Sequence, residues 1–490
     1  MGPSTEDRAS RPPATLGQLL PGRRELRALA RLSFPVASVQ VGMMAMGVVD
    51  TLMVGRVSAT ALAAVALGHI YFFSISVFGT GVLMALDPIV SQAIGAGDHG
   101  AVRRALQRGL ILAVILGVLS GVALLPGEAL LGLLSQPADV VPVAAGYARA
   151  SIAGIFPYFA FIVLRQTLQA MGRVAPIVWT IVGANLANAF FNWVFIFGNL
   201  GAPALGAVGA GWTSSIARWL MAVLLLGAAW PLLRPYLTRF EPAALARKPL
   251  IRMVRLGTPV GVQFELEFGA FAVIAVFMGW LGTTAMAAHQ IAINLASFTF
   301  MVPLGIAQAA AVLVGQAVGR HEPAEARRAG GAGLVLGAGF MSLTAVLFLV
   351  APGLLAGLYT ADPAVRDLAI VLIPIAGVFQ VFDGIQVVAS GVLRGIGDTR
   401  APMVVNILGF WLLGMPVSLL LGFAWDGGPV GLWWGLATGL AAVALFLTIR
   451  IRSRFGGELR RLSLEGESGV GMPAPAERLE TSMDGGTIDG

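Results

Sequence analysis

The chain has 490 residues, of which 57% are apolar and only 12% charged, about half the charge of a soluble domain. With a mean hydropathy of +0.83 it carries more apolar side chain than a water-soluble fold could bury, so the hydrocarbon of a bilayer is its natural solvent. The absence of cysteine excludes disulfides and thiolate metal sites. The net charge of +7 is spread over short loops, which argues against a nucleic-acid partner.

Residues 1–24 are polar and rich in Pro and Arg, lack the apolar stretch of a signal peptide, and read as a disordered tail. Twelve segments then reach the length needed to cross ~30 Å of hydrocarbon. They are 29–54, 61–86, 107–126, 143–166, 175–198, 206–230, 254–279, 286–315, 331–352, 366–392, 402–424 and 429–450. Residues 453–490 read as a second disordered tail. Cations gather in the tails and even-numbered loops: Arg23 and Arg24, Arg103 and Arg104, Arg173, Arg234 to Arg255, Arg327 and Arg328, Arg394 and Arg400. The odd loops hold almost none. The positive-inside rule therefore predicts both termini in the cytoplasm of a bacterial inner membrane.

The chain repeats itself. Val-Ser-Gln-Ala-Ile-Gly at 90–95 returns as Val-Gly-Gln-Ala-Val-Gly at 314–319, an offset of 316 − 92 = 224. The same offset pairs Pro35 with Pro259 and Arg103-Arg104 with Arg327-Arg328. The predicted fold is an all-α membrane protein of twelve transmembrane helices in two parallel-repeat six-helix bundles. Its units are an N-lobe at 25–230, a cytoplasmic connector at 231–253 and a C-lobe at 254–452. A parallel repeat places a site between the halves, with rocking of the bundles as its means of access.

Ionisable groups inside spans are costly and usually functional. Asp50, Glu267 and Asp383 stand out on that ground; a snorkelling or packing role suits Asp50 best as the alternative. Glu265 lies two positions from Glu267 and so points elsewhere. Glu267 and Asp383, each on a polar face, could hold Na⁺ with oxygen ligands or take up protons. Met43, Met46, Asp50 and Met53 share one helical face, suited to varied apolar guests or simply to packing. Asn185, Asn188 and Asn192 form another face, and Gln290 with Asn294 a pair, either as interhelical glue or as lining of a polar path. His289 reads as a packed residue rather than a ligand. No phosphate-binding loop or hydrolase motif occurs, so no cofactor is expected and pumping must draw on an ion gradient.

These motifs resemble the MATE (multidrug and toxic compound extrusion) exporters, NorM-type branch. The resemblance is carried by Val-Val-Asp-Thr-Leu-Met-Val-Gly around Asp50, by Ala-Leu-Asp-Pro-Ile-Val-Ser-Gln-Ala-Ile-Gly-Ala-Gly at 85–97, by 259–294 and by 379–395. It implies antiport of organic cations against Na⁺ or H⁺. It implies cation binding at Glu267 and Asp383, coupling at Asp50, and polar cavity positions at Asn188, Asn192, Gln290 and Asn294. Amphipathic, often cationic small molecules are the expected substrates, the bilayer the expected surroundings, and a monomer the expected state. A flippase for lipids or lipid-linked sugars is the alternative; it should show cations in its cavity, whereas the deep residues singled out are acidic. A membrane-embedded enzyme is a weaker alternative, because no catalytic cluster is visible. The acids are not repeated: at the 224 offset Asp50 meets Ile274, and Glu267 meets Met43. Cation binding is therefore expected mainly in the second half.

Overall fold

The computed structural model describes residues 12–133 and 136–465. Among these, the regular structure is helical throughout. The long helices are α1 (Arg23–Val54), α2 (Ala59–Gly95), α3 (His99–Leu124), α4 (Val141–Ile152 and Ile155–Ala170), α5 (Ala175–Phe197) and α6 (Gly206–Ala228). The second set is α7 (Arg247–Trp280), α8 (Thr283–Gly319), α9 (Pro323–Val350), α10 (Pro363–Gly395), α11 (Arg400–Ala424) and α12 (Gly428–Gly456). Eleven are long and apolar enough to span a bilayer singly; the two parts of α4, bent by 51°, make the twelfth. The bend falls at Gly154, where a Cβ would press on the Ser215 backbone of α6. The helix interior also breaks at Met84–Ala85 in α2.

The duplication is visible in the helix starts. Arg23 and Arg247 begin α1 and α7 (247 − 23 = 224). Ala59 and Thr283 begin α2 and α8, and His99 and Pro323 begin α3 and α9, again 224 apart. Both halves thus run through the membrane in the same sense. We call the end carrying Arg23 and Gly456 the tail end, and the opposite end the far end.

In hydrocarbon, helices associate through close packing and interhelical hydrogen bonds rather than through a hydrophobic gain. Each half meets this need with its own core. The first packs Leu83, Leu106, Phe159 and Phe161 together; the second packs Phe348, Phe379, Phe410 and Trp433. The seam between the halves is made of small residues. A Cβ on Gly81 or Gly257 would overlap the backbone of Gly261 or Val82 respectively, so α2 and α7 touch main chain to main chain. Gly305 of α8 meets Ala37 of α1 in the same way. Polar links reinforce the seam near the tail end. Gln92 donates to Gly395 O at 2.9 Å, Gln316 donates to Ala170 O at 2.8 Å, and Arg394 faces Asp87 at 3.4 Å.

Two expectations, about the tails, are corrected. The tail at 1–24 is ordered from residue 12 onward: Ala14 N donates to Arg452 O at 2.9 Å, and Leu19 is buried in the second core. Residues 1–11 lie outside the described region. The tail at 453–490 continues α12 to Gly456. It then crosses to the first half, where Leu462 N donates to Gln92 Oε1 at 2.7 Å and Arg461 pairs with Asp98 at 2.7 Å. Residues 466–490 lie outside the described region. The connector at 231–253 is largely helical, with turns at Trp230–Leu237 and Pro242–Leu245 and the start of α7.

Candidate functional site

A cavity of about 620 Å³ lies between the halves, lined by α1, α2, α4 and α6 on one side and by α7, α8, α10 and the start of α11 on the other. It runs from Asp50 and His69 to Arg394 and Thr399 near the tail end. Its wall is mostly apolar, with Met43, Met46, Phe72, Phe268 and Met301 among the lining side chains. That volume and character suit a drug-sized molecule.

Asp50 sits in the last turns of α1 and is only 6% exposed. Asn188 and Asn192, one turn apart on α5, both donate to its Oδ1, Asn188 at 3.0 Å. Ser214 of α6 donates to Oδ2 at 3.0 Å. A carboxylate removed from water needs such donors in place of its hydration shell. Three neutral donors therefore hold this group at the cavity edge without an ion pair among the described residues.

The second half holds a different arrangement. Glu267 of α7 lines the cavity, and Asp383 of α10 lies behind it, 7% exposed. The amide nitrogen of Gln386 joins them, at 3.1 Å from Glu267 Oε1 and 3.4 Å from Asp383 Oδ1. Gln386 Oε1 is buried and has no partner among the described residues. Carboxylate and amide oxygens are the ligand types that hard cations take. Trp411 fixes the backbone beside this cluster by donating to Leu266 O at 3.1 Å, from a stretch of α11 wound as π-helix over Ile407–Gly414. Such stretches recur at functional sites. No group of three or more His, Cys, Asp or Glu suited to a metal occurs among the described residues.

The sequence matches the MatE family over residues 35–194 and 259–420. The chain belongs to the MatE family. The two matched stretches begin 259 − 35 = 224 residues apart, so one family unit occurs twice at the repeat offset. The chain is 36% identical over 440 residues to the "Probable multidrug resistance protein NorM" of Mesorhizobium japonicum, covering 87% of this chain and 94% of that protein. It is 38% identical over 435 residues to the "Multidrug resistance protein NorM" of Burkholderia vietnamiensis, with coverages of 86% and 92%. In fold it resembles a eukaryotic MATE transporter (TM-score 0.80, 21% identity, covering 88% of this chain and 98% of that one). It also resembles a multidrug resistance MATE family transporter in its outward-facing conformation (TM-score 0.78, 21% identity, coverages 90% and 98%).

Within this MatE chain, several expected site residues take other places. Met43 and Met46 line the cavity, but Met53 packs against the apolar cluster around Val54 and Ala64; it lies far enough along α1 to have passed the cavity. Asn188 and Asn192 are fully buried and serve Asp50 rather than lining the cavity, because their amides are spent on its carboxylate. Gln290 and Asn294 bond each other at 3.2 Å. They continue the face of α8 that carries Ser297 and Met301 toward the far end, beyond the cavity lining. Asn185 is interhelical glue, donating to Gly42 O at 3.0 Å. His289 is packed against Trp433, with ring centroids 5.6 Å apart. Glu267 lines the cavity and Glu265 does not, as their spacing requires.

The expectation of an acidic interior is also corrected. Arg165, Arg218 and Arg394 line the same cavity. Arg218 is the lone cation of its span and Arg165 is buried in α4, so the rule that singled out Asp50 and Asp383 applies equally to them.

Proposed function

We propose that this protein is a multidrug exporter of a bacterial inner membrane. It moves amphipathic, often cationic small molecules through the cavity between its lobes by antiport against Na⁺ or H⁺. The observation that carries this reading is the Glu267–Gln386–Asp383 cluster, a pair of carboxylates within membrane-spanning helices at the wall of a drug-sized apolar cavity. A cation arriving there neutralises groups that are otherwise expensive to bury, so its binding can be coupled to cavity access. The names of the NorM relatives and the family membership support export. The potential contributes ~2.3 kcal/mol per charge per 100 mV, and each tenfold ion gradient ~1.4 kcal/mol.

The distribution of arginines supports placing the tail end in the cytoplasm. The seam is packed at that end, which corresponds to a state closed toward the cytoplasm; rocking of the lobes would expose the cavity there. One chain supplies both walls, which supports a working monomer. Proteoliposomes loaded with ethidium test this reading. Efflux should follow an imposed Na⁺ gradient at fixed pH if Na⁺ couples, or an imposed pH gradient without Na⁺ if H⁺ does. Indifference to both, with protein correctly inserted, would remove antiport.

A further inference from the structure

The wall contributed by the first lobe is cationic in a way that export of simple cations does not explain. Arg218 on α6 lies with its guanidinium carbon 3.8 Å from the centre of the Phe72 ring. It makes no hydrogen bond or ion pair among the described residues, and its Nη1 is buried without a partner. Arg165 on α4 is 3% exposed. It donates from Nη1 to Gln40 Oε1 at 2.9 Å, while its Nε has no partner. The remaining cavity arginine, Arg394, differs in having Asp87 at 3.4 Å. Asp50 makes no ion pair with Arg218 among the described residues: its oxygens take hydrogen bonds from Asn188, Asn192 and Ser214, and its charge reaches the guanidinium only through space.

A guanidinium in a span without a direct ion-pair partner is costly, and such groups mark substrate paths. Stacking on Phe72 satisfies the face of the Arg218 guanidinium and leaves the coplanar N–H edge, the part that fits a carboxylate in bidentate fashion. The opposite wall carries Glu267. We propose that Arg218 and Arg165 form an anionic subsite, and that the cavity takes zwitterionic amphiphiles with the carboxylate at these arginines and the ammonium toward Glu267. This deepens the export reading and rests on it. The volume of about 620 Å³ favours a small molecule over a two-tailed lipid as the carrier of that anion.

The test uses full-length protein in nanodiscs of uncharged lipid and two fluorescent dyes, rhodamine B, which has a free carboxylate, and its ethyl ester, which is a simple cation. Binding is read by anisotropy, with tetraphenylphosphonium as a competing monocation. Arg218→Gln should weaken rhodamine B at least ~10-fold more than the ester, Arg165→Gln should do so to a lesser degree, and Arg218→Lys should restore part of the loss. Retained ester binding shows that a variant is folded; if Arg218→Gln loses both dyes through misfolding, Arg165→Gln and Arg218→Lys decide. Equal weakening of both dyes in folded variants overturns the subsite, as does wild-type protein that binds the ester and tetraphenylphosphonium but not rhodamine B. Either of those results leaves the export reading intact. Wild-type protein that binds none of the three overturns both.

Discussion

Gln92 and Gln316, 224 residues apart, make the same hydrogen bond in opposite directions across the lobe seam. Gln92 reaches from the first half to the carbonyl that ends α10, Gly395 O at 2.9 Å. Gln316 reaches from the second half to the carbonyl that ends α4, Ala170 O at 2.8 Å. The C-terminal carbonyls of a helix have no partner within it, so each glutamine satisfies an end that the other lobe leaves open.

This pair should act as a latch. Each bond contributes roughly 0.5–1.5 kcal/mol net, so Gln92→Ala with Gln316→Ala should raise the population open at the tail end by about 5- to 150-fold. The chain has no cysteine, so Ser390→Cys on the cavity wall is a clean reporter. In the double variant it should react faster with a thiol reagent supplied from the tail side. An unchanged rate would mean that the glutamines do not hold the seam.

Gly257 sets the approach of α7 to α2. A side chain there would overlap the Val82 carbonyl, and backbone on that side cannot yield without parting the helices. Gly257→Ala should lower stability by ~1–3 kcal/mol and expose the same reporter. Gly279, whose Cβ would meet nothing within 4 Å, is the control; equal losses at both positions would assign the effect to glycine's backbone and not to the seam.

Asp50 and Asn192 should be coupled. Removing a donor from a buried carboxylate costs more than the bond itself contributed, about 1.5–3 kcal/mol. Asn192→Leu should therefore lower the thermal midpoint, and adding Asp50→Asn should recover much of the loss, since a neutral amide needs less solvation. If the two losses simply add, Asp50 does not depend on Asn192 for its charge.

Outside the spans, Asp98 caps α3 through Ala101 N at 2.9 Å and pairs with Arg461. Burial pushes its carboxyl up, but the Ala101 N–H and the Arg461 guanidinium outweigh this and hold it below its ordinary value of 3.8. A carboxyl depressed by folding contributes stability that is fully present above its unfolded value and is lost as pH falls through the folded one. Wild-type protein should thus exceed Asp98→Asn in thermal midpoint at pH 7, and the gap should begin to narrow below about pH 4. A gap that stays constant as pH falls through the acid range would rule out the charge as its source.

The spans, the repeat and the membership of Glu267 in the cavity wall were legible because hydropathy and a fixed offset act over many residues. The partners of Asp50 were legible only as types. A face of asparagines at 185, 188 and 192 suggested interhelical glue or a polar path, but whether an amide faces a cavity or a neighbouring acid depends on helix rotation, which spacing alone does not set. Met53 shares the cavity face of α1 by periodicity, yet lies too far along the axis. For Arg165 and Arg218, positions inside predicted spans were the available signal, which Arg149 of α4 shares although it pairs with Glu128 away from the cavity, and arginine reads first as a marker of loops.

Gln386 decides how the two acids of the second lobe behave together. Its single amide nitrogen serves both carboxylates, so a cation that engages Glu267 and Asp383 must alter a shared bond rather than two independent ones. Glu267→Gln and Asp383→Asn remove one charge each and keep a polar group of similar size. Each should abolish uphill efflux, and Asp383→Asn, behind the cavity wall, should leave ethidium binding within about threefold, a change below ~1 kcal/mol, because the wall that holds the guest is untouched. Gln386→Leu leaves both carboxylates but takes away their common donor, exposing like charges to each other in a medium of low dielectric. It should therefore change the concentration of coupling ion needed for half-maximal efflux by tenfold or more. Efflux of normal ion dependence in Gln386→Leu, measured in proteoliposomes against both neutralising variants, would show that the acids act separately and that the bridge between them is only packing.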